Sequence, residues 1–125
     1  MSGIKSHRDL QVWQKSMELA QQVCALTKTF PNDERFGLTS QLRRAVASVP
    51  ANIAEGHARE TRRDYAQFLA IAQGSLAETE TFLLLAQRLG YVRDAALVPI
   101  LALLTEVARM LSALRARLRA ANSRS

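Results

Sequence analysis

One cysteine, two histidines and three prolines in 125 residues already exclude several kinds of protein. A lone Cys24 cannot close an internal disulfide, which makes a reducing cytoplasm the expected location. Histidine and cysteine metal centres lack ligands, because His7 and His57 have no second His or Cys at ligand spacing. Helical di-iron sites need Glu-x-x-His pairs, and the chain contains none. No metal or other cofactor is expected. Cys24 shares an apolar stripe with Met17 and Ala20, the setting of a buried, inert thiol rather than a nucleophile, and a catalytic triad has no better support. The longest uninterrupted apolar run, Ala95 to Leu104, falls short of the roughly 20 residues of a membrane span, and no membrane partner is expected. Residues 1–8 have no apolar core of the signal-peptide kind. Long polar or repetitive tracts are also missing, which argues against wholesale disorder.

Acidic charge is absent after Glu106. The chain carries 17 Lys+Arg against 11 Asp+Glu, a net +6, and all but Lys5, Lys15 and Lys28 of the basic residues are arginine. Up to Glu106 the two signs nearly balance. Beyond it stand Arg109, Arg115, Arg117, Arg119 and Arg124 with no acid among them. The excess therefore sits toward the C-terminus rather than over the whole domain.

Period-two alternation is missing too, whereas apolar residues recur with a period near 3.6 almost throughout. The chain is expected to be all-α. In the first helix one stripe holds Leu10, Trp13, Met17, Ala20 and Cys24, and a second holds Val12, Leu19, Val23, Leu26 and Phe30. Asp9 is the expected N-cap, and Pro31 ends the helix. Two adjacent stripes suggest burial against two surfaces. A second helix, about Leu38 to Ala58, contains Pro50, where a kink is expected, and is expected to stop near Gly56. Thr61-x-x-Asp64 has capping-box spacing and opens a third helix, from Tyr65 through Leu89 to a glycine stop at Gly90. The fourth runs from near Asp94 to about Ala121, with Pro99 near its start. Such helices would be about 30 to 40 Å long. Their short links imply one up-down-up-down antiparallel four-helix bundle over residues 1–125, with an N-terminal arm at 1–8 and a basic tail at about 115–125.

Two groups of polar residues are candidates for function. On the second helix Gln41, Arg44, Ser48, Asn52 and Glu55 step along one face, with Arg43 beside them. These side chains could hold phosphate or a partner. They could equally form an inter-helix or inter-subunit network, in which Arg43 or Arg44 pairs with Glu78 or Glu80. The arginines from Arg109 to Arg124 could bind a polyanion, or could complement the dipole of the helix they end. Arg59, Arg62 and Arg63 interleave with Glu60 and Asp64 and are expected to be a solvated turn.

Several segments together resemble a known family. They are Asp9-Leu10-Gln11-Val12-Trp13-Gln14-Lys15-Ser16, Phe36-Gly37-Leu38-Thr39-Ser40-Gln41-Leu42-Arg43-Arg44-Ala45 and Ser48-Val49-Pro50-Ala51-Asn52-Ile53-Ala54-Glu55-Gly56. Phe68-Leu69, Gly74-Ser75-Leu76-Ala77-Glu78 and Arg88-Leu89-Gly90-Tyr91 continue the likeness. The chain thus resembles the four-helix-bundle proteins named after the 23S ribosomal RNA intervening sequence. The resemblance implies a ring-forming homo-oligomer, with a homopentamer among related proteins. It also implies kinship with accessory proteins of diversity-generating retroelements, which bind a reverse transcriptase and nucleic acid, and it carries no enzymatic activity. Arg43, Arg44, Asn52 and Glu55 fall inside these segments, and the tail arginines outside them. The expectation is a non-enzymatic oligomer binding RNA, DNA or a nucleic-acid-processing protein through Arg43, Arg44, Arg109, Arg115, Arg117 and Arg119. The alternative is a structural or protein-interaction scaffold without a nucleic-acid role.

Overall fold

The structure is a computed structural model that describes residues 3–124, with side chains described as far as Ala120. Helices α1 (Gln11–Thr27), α2 (Leu38–His57), α3 (Arg62–Arg88) and α4 (Asp94–Arg124) follow one another, with short 3-10 turns at His7–Asp9 and Asn32–Glu34. They form an up-down-up-down antiparallel bundle, without strands among the described residues. Helix α2 packs on α1 and α3, and α4 packs on α3 and α1, so α1 and α3 stand on the diagonal.

The ends of the helices follow local chemistry. Asp9 is not the cap of α1; Leu10 takes that place in an extended conformation without a side-chain hydrogen bond. Asp9 belongs instead to a capping box one turn earlier. Its carboxylate accepts the backbone N–H groups of Lys5 at 2.8 Å and Ser6 at 3.2 Å, while Ser6 Oγ accepts from Arg8 N–H. Those N–H groups, Lys5 first, hold the Asp9 carboxyl below its ordinary pKa. Thr61 Oγ1 caps α3 by accepting from Asp64 N–H at 3.1 Å. At its other end Gly90 adopts φ +79, Tyr91 N–H reaches Ala86 O and Gly90 N–H reaches Gln87 O, the two bonds of a Schellman ending.

Helix α2 ends at His57, one residue past Gly56 and within the expected bounds, and Ala58 is its C-cap. Gly56 also serves a close approach. A Cβ there would stand 2.8 Å from Phe68 Cβ and 3.1 Å from Tyr65 Cδ1, so glycine lets α3 lie against α2. Pro50 is buried within the same uninterrupted helix, where it deprives the Val46 carbonyl of an intrahelical partner. In α4, Pro99 is the sixth residue.

Packing separates the two stripes of α1. Val12, Leu19, Val23 and Phe30 are buried in the core, whereas Trp13, Ala20 and Cys24 are half-buried and Met17 is 45% exposed. Cys24 is thus not the fully buried thiol expected. The apolar set of α2 is buried throughout, and the core continues through Leu69, Leu76 and Leu83 of α3. Leu89 lies outside it. Residues 94–120 of α4 are long and apolar enough to cross a membrane by length and composition. Counting uninterrupted apolar residues misses this because Thr105 and Glu106 break the run. In the bundle Leu97, Ile100, Leu104, Val107 and Leu111 of this helix are buried against the other helices.

Candidate nucleic-acid interface and polar ridge

Antiparallel topology decides which charges become neighbours. The start of α1, the end of α2, the start of α3 and the end of α4 all lie at one end of the bundle. Arg63 and Gln67 of α3 therefore face Arg115 and Arg119 of α4 across a groove of about 280 Å³, floored by Ala66 and Ala70. Sequence reasoning places Arg63 in a solvated turn and misses this. The signal is parity: in any up-down-up-down bundle the second connection and the fourth C-terminus share an end.

Arg115 is the most constrained of these arginines. Its Nη1 donates to Gln73 Oε1, and Gln73 Nε2 donates onward to Ser112 Oγ at 3.0 Å. Its Nε is buried without a hydrogen-bond partner, so one donor of a fixed guanidinium remains unused. Arg117 lies round the helix from this groove, at a cleft of about 390 Å³ that also takes in Ile4, Leu10, Met110 and Leu114. Nearby, Tyr65 has a buried hydroxyl without a partner. Burial pushes its pKa up, and the positive charge of Arg117 opposes the rise. Arg109 is exposed and outside the arginine groove. The side chain of Arg124 lies outside the described residues.

The ridge on α2 divides among three tasks. Arg43 Nε donates to Thr27 Oγ1 at 2.8 Å and ties α2 to α1. Ser48 Oγ meets Ser75 Oγ at 2.8 Å, and Asn52 Nδ2 donates back to both Ser48 O and Ser48 Oγ. Arg44 and Gln41 line an open groove of about 250 Å³ above this pair, with Glu78 on the α3 side. Within the chain neither Arg43 nor Arg44 makes an ion pair with Glu78 or Glu80. The pairs among the described residues are Lys15 with Glu18 and Glu106, and Arg59 with Glu55. Glu80 lies in a different hollow, between α3 and α4 beside Thr105. The structure therefore brings Gln41, Arg44, Ser48 and Glu78 together, and leaves Glu55 and Glu80 apart from them.

Among the described residues no group of three or more His, Cys, Asp or Glu side chains could hold a metal ion. The available chemistry is guanidinium donors, amides and hydroxyls, which suits binding of oxyanions or polar partners.

No curated protein matches the chain. A solved structure of a protein of unknown function from the S23 ribosomal protein family of Bacteroides thetaiotaomicron VPI-5482 is similar. It has a TM-score of 0.77 and 30% sequence identity, over 83% of this chain and 97% of that one. The family described as 23S rRNA-intervening sequence protein matches residues 8–113, which takes in the polar ridge and the core of every helix. With fold and motifs in agreement along that length, the chain belongs to the 23S rRNA-intervening sequence protein family.

Proposed function

We propose that this protein is a non-enzymatic, self-associating helical bundle of the cytoplasm that binds nucleic-acid phosphates with the arginine end of the bundle. The observation that carries this reading is the convergence of Arg63, Arg115 and Arg119 on one groove. Arginine forks match phosphate oxygens, and several such contacts give affinity through counterion release. Membership in a family named for an intervening sequence of 23S rRNA makes RNA the first polyanion to test. Self-association is suggested by the resemblance, which also suggests five subunits, and the exposed Met17 beside half-buried Trp13, Ala20 and Cys24 on α1 is consistent with it. A reverse transcriptase or another nucleic-acid-processing protein would be a further partner on the same resemblance.

The second reading is a scaffold with no nucleic-acid role. It is favoured by the bonds that Arg43 and Arg115 make inside the chain, to Thr27 and Gln73, which need no ligand.

Mass determination in solution, followed by RNA and DNA titrations at several salt concentrations, separates the two readings. Binding should weaken steeply with salt. Arg63→Ala, Arg115→Ala and Arg119→Ala should each reduce the log–log salt slope by about 0.7 for single strands. An intact oligomer with no affinity for either polymer at low salt would leave the scaffold.

A further inference from the structure

Two stretches of helix that pack side by side are both free of acid. Helix α3 has no Asp or Glu between Asp64 and Glu78, and α4 has none after Glu106. The groove between them is therefore lined by arginine, glutamine and alanine, with no carboxylate on either wall.

Its arginines also stand in a fixed order. Gln73 of α3 accepts from Arg115 and donates to Ser112 of α4, which sets the register of the two antiparallel helices. Each residue toward the start of α3 is then level with one residue farther along α4. Ala70 lies level with Arg115, Ala66 with Arg119, and Arg63 close to a turn beyond Arg119. The three arginines thus follow one another along the seam at about one helical turn, roughly 5 to 6 Å, per step. Two features set this row apart from a loose patch of surface charge. Arg115, at its inner end, is anchored by Gln73 and needs little ordering when a ligand arrives. Ala66 and Ala70 make the floor, which therefore carries nothing larger than a methyl group.

Consecutive phosphates along one nucleic-acid strand are about 6 to 7 Å apart, within reach of arginines set one helical turn apart. We infer that Arg115, Arg119 and Arg63 hold three consecutive phosphates of a single nucleic-acid strand that runs along the α3–α4 seam. The inference rests on the phosphate-binding reading above and adds the path of the strand, the number of phosphates and their spacing. Contacts of this kind fix the course of the backbone and carry no base preference.

The test holds charge constant and varies its spacing. The probe is a single-stranded oligouridylate whose linkages are neutral methylphosphonates except for three charged phosphates, made in two forms. In one the three are consecutive; in the other neutral linkages separate them. At low salt the wild type should bind the consecutive form at least tenfold more tightly, with a log–log salt slope of about 2, since each single-strand phosphate contributes about 0.7. Ala66→Leu combined with Ala70→Leu fills the floor without altering charge. It should lower affinity for the consecutive form at least tenfold with an unchanged helical circular-dichroism spectrum. The probe comparison needs only the wild type, so it decides even if the leucine variant does not fold. A wild type that binds unmodified oligouridylate but takes both probe forms alike, or neither, overturns the row and leaves phosphate binding at this end standing. So does a folded leucine variant that binds like wild type. No affinity for unmodified oligouridylate at low salt overturns both.

Discussion

The two ends of the bundle handle their polar groups in opposite ways. At the end formed by the α1–α2 and α3–α4 connections, Lys28, Arg35, Arg88 and Arg93 are set against Asp33, Glu34 and Asp94, close to balance. One Glu34 carboxylate there serves both Tyr91 and the start of α2. At the other end Lys5, Arg8, Arg59, Arg62, Arg63, Arg115, Arg117 and Arg119 outnumber Asp9, Glu55, Glu60 and Asp64 by two to one. The buried side-chain donors without a partner among the described residues, Tyr65 OH and Arg115 Nε, both lie there. Burying an unmatched donor costs about 1 to 3 kcal/mol, so a fold shaped for stability alone would resemble the first end throughout. The second end gives up some stability and carries the excess of positive charge.

The largest expected effect comes from removing arginines at one end and then at the other. Replacing Arg63, Arg115 and Arg119 together by alanine should lower RNA affinity at low salt by roughly a hundredfold or more, since each charged hydrogen bond is worth about 1.5 to 3 kcal/mol. Replacing Arg35, Arg88 and Arg93 removes the same charge from the balanced end and should cost only a few-fold. Filter binding or fluorescence anisotropy at two salt concentrations reads both. Equal reductions would mean that net charge alone, and not the groove, governs binding.

Next in size is the seam beneath the arginine end. Gly56→Ala puts a Cβ 2.8 Å from Phe68 Cβ, and part of the helix must shift to relieve it. A destabilisation of about 1 to 3 kcal/mol in urea unfolding is expected despite alanine's better helix propensity. Gly37→Ala, at the opposite end, meets only the tip of the flexible Glu34 side chain and should cost less.

Gly56 also marks where the sequence stops being legible. A glycine near the end of a helical pattern reads as a stop, and only the position of α3 reveals a close approach. The core of α2 and the caps at Thr61 and Gly90 depend on residues three or four apart, so periodicity and spacing reveal them. Asp9 is misread as the cap of α1 although the signal is local: Ser6-x-x-Asp9 is itself a capping box, and it engages the acid before α1 begins. The groove of Arg63, Arg115 and Arg119 joins residues some fifty positions apart. Composition isolates the tail arginines but cannot say that an earlier turn meets them; the order of the helices can.

The two tyrosines sharpen the contrast further. Tyr91→Phe removes a hydroxyl donating to Glu34 and should destabilise the protein. Tyr65→Phe removes a buried hydroxyl with no partner and should stabilise it by about 1 kcal/mol. Thermal unfolding of both variants near neutral pH tests the pair, and a lower melting temperature for Tyr65→Phe would mean that its hydroxyl has a partner.

The smallest effect is a titration. Both phenols have pKa values raised above 10.0, Tyr91 chiefly by its hydrogen bond to Glu34 and Tyr65 chiefly by burial. A raised folded pKa means that the neutral phenol's contribution to stability is fully present below about pH 10 and is lost as pH climbs through the folded value. Stability should therefore fall on the alkaline side, and less steeply once both tyrosines are phenylalanine. In Tyr91→Phe only Tyr65 remains to titrate, because the chain has two tyrosines. Its phenolate absorbance near 295 nm then reads the field of the arginine end directly. Arg117 favours the phenolate, so Arg117→Ala should move that midpoint to higher pH, whereas Arg88→Ala, at the far end, should leave it in place. A midpoint indifferent to Arg117 would show that the arginine charge is screened by solvent before it reaches the buried ring, and would weaken the case that this end presents a field strong enough to gather phosphate.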